Sequence, residues 1–130
     1  MLDQKTIVCI EDDVETAGLI RLLLKDTGVK TVSALSGREG LEMVHRLHPD
    51  LVLLDVYVRD VSGWEVYQRL RKDKTLRDTP VIILSVYPKA IGSALGKDFR
   101  EAAEYVCKPF SPVQLRNAID RALGLETLPA

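Results

Sequence analysis

Side chains capable of chemistry fall at the ends of apolar runs in this sequence. Glu11, Asp12 and Asp13 follow TIVCI (6–10). Asp55 closes LVLLD (51–55), Ser85 closes PVIILS (80–85), and Lys108 ends EYVCK (104–108), directly before Pro109. Carboxylates gathered in one place repel one another and invite a hard divalent cation. Magnesium suits few protein ligands, several waters and a bound phosphate, a shell that this cluster could supply. A hydroxyl and an ammonium on the far side would bind the remaining oxygens of a phosphoryl group. Asp55 lies between them as a candidate nucleophile, and its attack on phosphorus would form a transient acyl phosphate.

The elements that must hold these groups are legible from apolar patterning. The runs 6–10, 51–55 and 80–85 are continuous rather than alternating, as strands covered on both faces require. KTVSAL (30–35) and EYVCK are weaker strand candidates, expected nearer the sheet edges. Helical segments lie between the five. Ser36 with Glu39, Ser62 with Glu65, and Ser111 with Gln114 fit the capping box, and Pro112 stands at a first helical position. Ile20, Leu23 and Leu24, then Leu41, Val44 and Leu47, then Leu115, Ala118, Ile119, Ala122 and Leu123 form apolar stripes at helical spacing and are expected in the core. The segment 88–103 is expected to be a marginal helix, because Gly92 and Gly96 each cost about 1 kcal/mol relative to Ala. Strand and helix alternating five times argue an α/β domain with a parallel sheet and right-handed crossovers. In such sheets ligands gather at the carboxyl ends of the strands, where the groups above stand.

Composition narrows the partners. The chain has 130 residues, 46% hydrophobic and 28% charged, enough apolar surface for one ordered domain and too little length for two. A net charge of -1 offers no general basic field, so nucleic acid is not expected as a direct ligand. No apolar run is long enough for a membrane-spanning helix, and the start MLDQK does not read as a signal peptide. Cys9 and Cys107 are expected to be buried, reduced thiols of a cytoplasmic protein. His45 and His48, the only histidines, exclude a His-rich metal site and read as solvated groups near a helix end. Asp13 reads as the cap of the first helix rather than a metal ligand.

Taken together, Ile10-Glu-Asp-Asp13, Leu53-Leu-Asp55 with Gly63 beyond it, Ile83-Leu-Ser85 and Tyr105-Val-Cys-Lys108-Pro-Phe110 resemble the receiver domain of bacterial two-component response regulators. Each motif alone is weak. Their mutual spacing is what the family leads one to expect, the last interval to within a residue. The resemblance runs from about Lys5 to Leu123. It implies a flavodoxin-like, doubly wound (βα)5 sandwich with a five-stranded parallel sheet in the order 2-1-3-4-5, a receiver domain over 1–125, and a tail or linker start at 126–130.

The resemblance also implies roles. Asp55 is the expected phosphoacceptor. Asp12 is expected to bind Mg2+ directly, with Mn2+ as an alternative ion. Glu11 is expected to act largely through water, with Asp55 and the backbone carbonyl of Tyr57 completing the metal set. Ser85 is the hydroxyl, and Lys108 the ammonium, expected on the phosphoryl oxygens. Tyr105 holds the aromatic position whose ring turns inward on activation, and the Lys108–Pro109 bond is expected to be cis. The phosphodonor would be a sensor histidine kinase or a phosphotransfer protein. The output would pass through segment 88–103, the fifth strand and the closing helix to a downstream effector or fused domain, or to a second copy in a homodimer. No DNA-binding helix pair follows Leu123, so the chain as given is not expected to act as a transcription factor alone.

Two departures from the family pattern matter. Arg59 stands where the family usually has a proline that shapes the loop, and Val86 stands where it prefers a small residue. Tyr57 and Tyr87 stand at the positions flanking the phosphoryl site. With Val86 they either tune the access of water to Asp55 or merely pack on the rim. Three other readings compete. A haloacid-dehalogenase-type phosphatase needs a second Asp where Tyr57 stands. A flavodoxin-like cofactor binder needs a phosphate-cradling loop where Glu11, Asp12 and Asp13 would repel phosphate. A receiver-like interaction module that is never phosphorylated is favoured slightly by Arg59 and opposed by the complete acid, Asp, Ser and Lys set.

Overall fold

The computed structural model describes residues 4–58, 60–87, 99 and 101–125. Five strands are described: β1 (Thr6–Ile10), β2 (Lys30–Ala34), β3 (Leu51–Asp55), β4 (Val81–Ser85) and β5 (Glu104–Cys107). The described helices are α1 (Val14–Leu24), α2 (Gly37–Leu47), α3 (Gly63–Lys72) and α4 (Pro112–Ala122). The strands are all parallel, in the order β2-β1-β3-β4-β5, which is the expected flavodoxin-like topology. The expected helix over 88–103 lies outside the described residues except at 99 and 101–103, which are turn or irregular rather than helical; Arg59 and the tail at 126–130 also lie outside them. Gly124 and Leu125, the last described residues, donate backbone hydrogen bonds to the Arg121 and Asp120 carbonyls.

The continuous apolar runs are explained by two cores, one on each face of the sheet. Val8, Ile10, Val52, Leu54 and Ile83 point toward α2 and α3. Ile7, Cys9, Leu51, Leu53, Ile82 and Leu84 point toward α1 and α4. Side chains alternate along each strand, so only an unbroken apolar sequence serves both layers. The edge strands β2 and β5 are less buried, in line with their weaker patterns.

Helix starts follow the serines. Ser36, Ser62 and Ser111 each accept a hydrogen bond from the backbone amide of Glu39, Glu65 and Gln114 respectively. Asp13 caps α1, accepting from the Glu15 amide and the Thr16 hydroxyl. One expectation, the burial of Cys107, needs correction. Cys9 is buried, and burial pushes its thiol up to about 12. Cys107, however, is only partly buried, on the edge strand β5. His45 is exposed, as expected, and also makes contacts: its Nδ1 meets the Leu41 carbonyl at 2.8 Å and its Nε2 meets Asp73 Oδ2 at 3.0 Å, tying α2 to the end of α3.

Candidate functional site

Register brings the chemical groups to one edge. Ile10 pairs with Leu54, Asp55 with Leu84, and Ser85 with Cys107, so β1, β3, β4 and β5 end nearly level. The ladder runs one step further through Glu11, Val56 and Lys108, whose amides donate to Ala34, Leu84 and Ser85. Glu11 and Lys108 therefore emerge on either side of Asp55 and Ser85, with backbone directions fixed by the sheet.

Glu11, Asp12 and Asp55 place carboxylate oxygens within 4.8 Å of one another. Glu11 and Asp55 are buried, as is Ser85, so the cluster is rooted in the protein rather than laid on its surface. Lys108 answers their charge. Its Nζ donates to Glu11 Oε2 at 2.7 Å and to Asp55 Oδ2 at 3.2 Å. Burial pushes the Glu11 carboxyl up to about 7, against the pull of Lys108 and with the help of the Asp55 charge. Burial works against the Lys108 ammonium too, but Glu11 and Asp55 outweigh it and hold its pKa above the usual lysine value.

The donor set suits a hard cation. All three candidate side chains offer carboxylate oxygen, and no sulfur or imidazole joins them among the described residues, as magnesium prefers. Lys108 already sets one positive charge between Glu11 and Asp55.

Around Asp55 the loop after β3 is tightly folded. The Tyr57 amide donates to Asp55 Oδ1 at 2.9 Å, and the Gly63 amide donates to the Val56 carbonyl at 2.9 Å. A Cβ at Gly63 would lie 2.4 Å from the Asp55 carbonyl oxygen and 2.5 Å from Val56 Cα. Glycine at this position is what lets α3 begin against the end of β3.

The remaining expected residues surround this centre. The Ser85 hydroxyl accepts from the Tyr87 amide at 3.1 Å. Tyr87 meets Tyr57 edge-on, ring centroids 5.6 Å apart, and both rings are close to half exposed. Tyr105 donates its hydroxyl proton to the Tyr87 carbonyl at 2.7 Å. Val86 is exposed and lines a cavity of about 270 Å³ with Thr16, Leu19, Lys108, Pro109 and Phe110. The Lys108–Pro109 bond is cis. What the sequence reading missed is Asp60, whose carboxylate binds the first turn of α2 across the chain. Its only sequence signal was an acid in the loop beside a residue that departs from the family pattern.

The chain and its fold are similar to known proteins. The family model for the response regulator receiver domain matches residues 7–120. The polar-differentiation response regulator DivK of Brucella ovis is 33% identical over 121 residues, covering 92% of this chain and 97% of that protein. A putative response regulator from Chloroflexus aurantiacus superposes with a TM-score of 0.82 at 25% identity, covering 94% of this chain and 99% of the other. The receiver domain of the sensor histidine kinase PA1611 from Pseudomonas aeruginosa, which has a magnesium ion coordinated in its active site cleft, shares the fold with a TM-score of 0.83 at 20% identity, covering 94% of this chain and 99% of that one.

Proposed function

The chain belongs to the response regulator receiver domain family, and from that membership we propose that Asp55 accepts a phosphoryl group from a phosphohistidine on a sensor kinase or phosphotransfer protein. Such a domain is a signalling element rather than a classical enzyme. The observation that carries the reading is the charge arrangement around Asp55: a buried carboxylate at a strand end, two further carboxylates beside it, and an ammonium 3.2 Å from one of its oxygens.

The transfer balances simply. An Asp55 carboxylate oxygen attacks phosphorus, the P–N bond to the donor imidazole breaks, and the imidazole nitrogen takes the electron pair and then a proton. Glu11, Asp12, Asp55 and the Tyr57 carbonyl would hold Mg2+, which when bound offsets the negative charge of the incoming phosphoryl oxygens. Lys108 moves from Glu11 toward a phosphoryl oxygen, and the Ser85 hydroxyl donates to another. Water later attacks phosphorus and releases phosphate. Tyr57 and Tyr87, in contact over the site's rim, with Val86 on the flank, slow that attack.

The signal is a change of charge. An acyl phosphate adds roughly two negative charges at the end of β3, by analogy with phosphorylated hydroxyl side chains. The strand ends carrying Ser85 and Lys108 shift to meet it. Tyr105, bonded to the Tyr87 carbonyl on the same edge, leaves that bond as its ring turns inward. The face made by segment 88–103, β5 and α4 then presents a new surface to an effector, a fused domain or a second copy. The free thiols Cys9 and Cys107 accord with a cytoplasmic setting.

The test is incubation with acetyl phosphate, followed by intact mass. A gain of one phosphoryl group with Mg2+, lost on chelation and in Asp55→Asn, supports the reading. An unmodified protein under all conditions favours an interaction module that works without phosphorylation.

A further inference from the structure

The first turn of a helix leaves backbone amides without partners inside the helix. In α2 two different elements satisfy them. Ser36, the residue before the helix, takes the Glu39 amide at 3.1 Å. Asp60, from the loop after β3, takes the two amides before it: Gly37 donates to Oδ1 at 2.7 Å and Arg38 donates to Oδ2 at 3.1 Å. Contact continues beyond the carboxylate. A Cβ at Gly37 would lie 2.4 Å from the Val61 carbonyl oxygen, so this glycine lets the loop rest directly on the helix. The desolvation that would raise the Asp60 carboxyl is outweighed by the donated amides of Arg38 and Gly37, which hold it below the usual carboxylate range.

The loop so fastened is short and begins at the reactive centre. It contains Tyr57, whose amide donates to Asp55 Oδ1 and whose carbonyl belongs to the proposed metal set. It ends at Ser62 and Gly63, where α3 starts against the Asp55 backbone. Arg59 occupies the place where the family pattern has a proline, so that ring's restraint is missing from the loop.

We infer that Asp60 is a positioning residue for the metal and phosphoryl site: its two hydrogen bonds to the amino end of α2 fix the 56–62 loop, and through it the Tyr57 carbonyl, in place of the missing proline. The inference rests on the proposed metal site and names a residue outside it. Asp60 is not one of the clustered carboxylates Glu11, Asp12 and Asp55. It acts at a distance by limiting the conformations of the segment that does.

Ser36→Ala supplies the control, since it removes a cap from the same helix end without loosening the loop. Magnesium titration by calorimetry, together with backbone amide exchange of the metal-free full chain, compares wild type, Asp60→Ala, Asp60→Asn and Ser36→Ala. Asp60→Ala is expected to weaken Mg2+ binding on the order of tenfold and to speed exchange at Tyr57 and Val58. Ser36→Ala is expected to lower the thermal midpoint while leaving both readings at wild-type values. Asp60→Asn, with one acceptor oxygen left, falls between and serves if the alanine variant does not fold. Wild-type affinity and exchange in both Asp60 variants overturn the inference, as does an equal loss of affinity in Ser36→Ala. If the wild type itself takes no Mg2+, the metal site reading fails, and the exchange comparison alone decides the clamp.

Discussion

Lys108 Nζ lies closer to Glu11 than to Asp55, 2.7 Å against 3.2 Å, with Glu11 wholly buried beneath it. The ammonium therefore bridges two carboxylates. Removing it leaves a buried carboxylate without its partner, which costs far more than an exposed pair would.

Lys108→Met should accordingly lower stability by roughly 3 kcal/mol in metal-free buffer at neutral pH. Magnesium should recover more of that loss than it adds to the wild type, because no ammonium competes for the carboxylates. Thermal unfolding with and without Mg2+ checks this. A magnesium shift in the wild type as large as in the variant would count against competition.

Gly63 packs where any side chain would meet the Asp55 and Val56 backbone. Gly63→Ala must push α3 off the end of β3, at a cost of about 1–3 kcal/mol. The same displacement moves Asp55, so the rate of phosphorylation by acetyl phosphate should fall as well. A urea midpoint and rate both matching wild type would show that the loop yields more easily than the close contact implies.

Tyr57 and Tyr87 touch edge-on beside the acceptor. An aromatic contact of this kind contributes roughly 0.5–1.5 kcal/mol. If opening it admits water, Tyr57→Asn with Tyr87→Glu should shorten the phosphoform lifetime by up to about tenfold. Equal lifetimes for wild type and double variant would leave the two rings as packing on the rim.

Asp73 offers a pH test away from the site. The Thr75 hydroxyl and amide, then His45, hold its carboxyl below the ordinary value. The folded protein thus takes up this proton less readily than the unfolded chain. The stabilisation is complete above the ordinary carboxylate pKa and is lost as pH falls through the lower folded value. Urea midpoints of wild type and Asp73→Asn should differ at pH 7, and the gap should close once pH has fallen below the lowered folded pKa of Asp73. A gap that persists in acid would contradict the linkage.

Much of this molecule was legible in its sequence because the signals are local. Val52, Leu53 and Leu54 must serve two cores at once, and an unbroken apolar run says so. Ser36, Ser62 and Ser111 sit within three residues of the amides they cap. Asp55, Ser85 and Lys108 stand at the ends of such runs, and a parallel sheet brings strand ends together. What escaped was set by contacts distant along the chain. Asp60 caps a helix that begins before β3, and His45 meets Asp73 across two elements. Lys108 meets Glu11, nearly the whole chain away, as well as Asp55, where sequence alone pointed only to a phosphoryl oxygen.

The identity of the acceptor is tested most directly by chemical trapping. Borohydride reduces an aspartyl acyl phosphate to homoserine, which peptide mass spectrometry reads at its position. After treatment with acetyl phosphate and Mg2+, homoserine is predicted at position 55. Homoserine at another acid, or phosphorylated protein that yields none at position 55, would contradict the account.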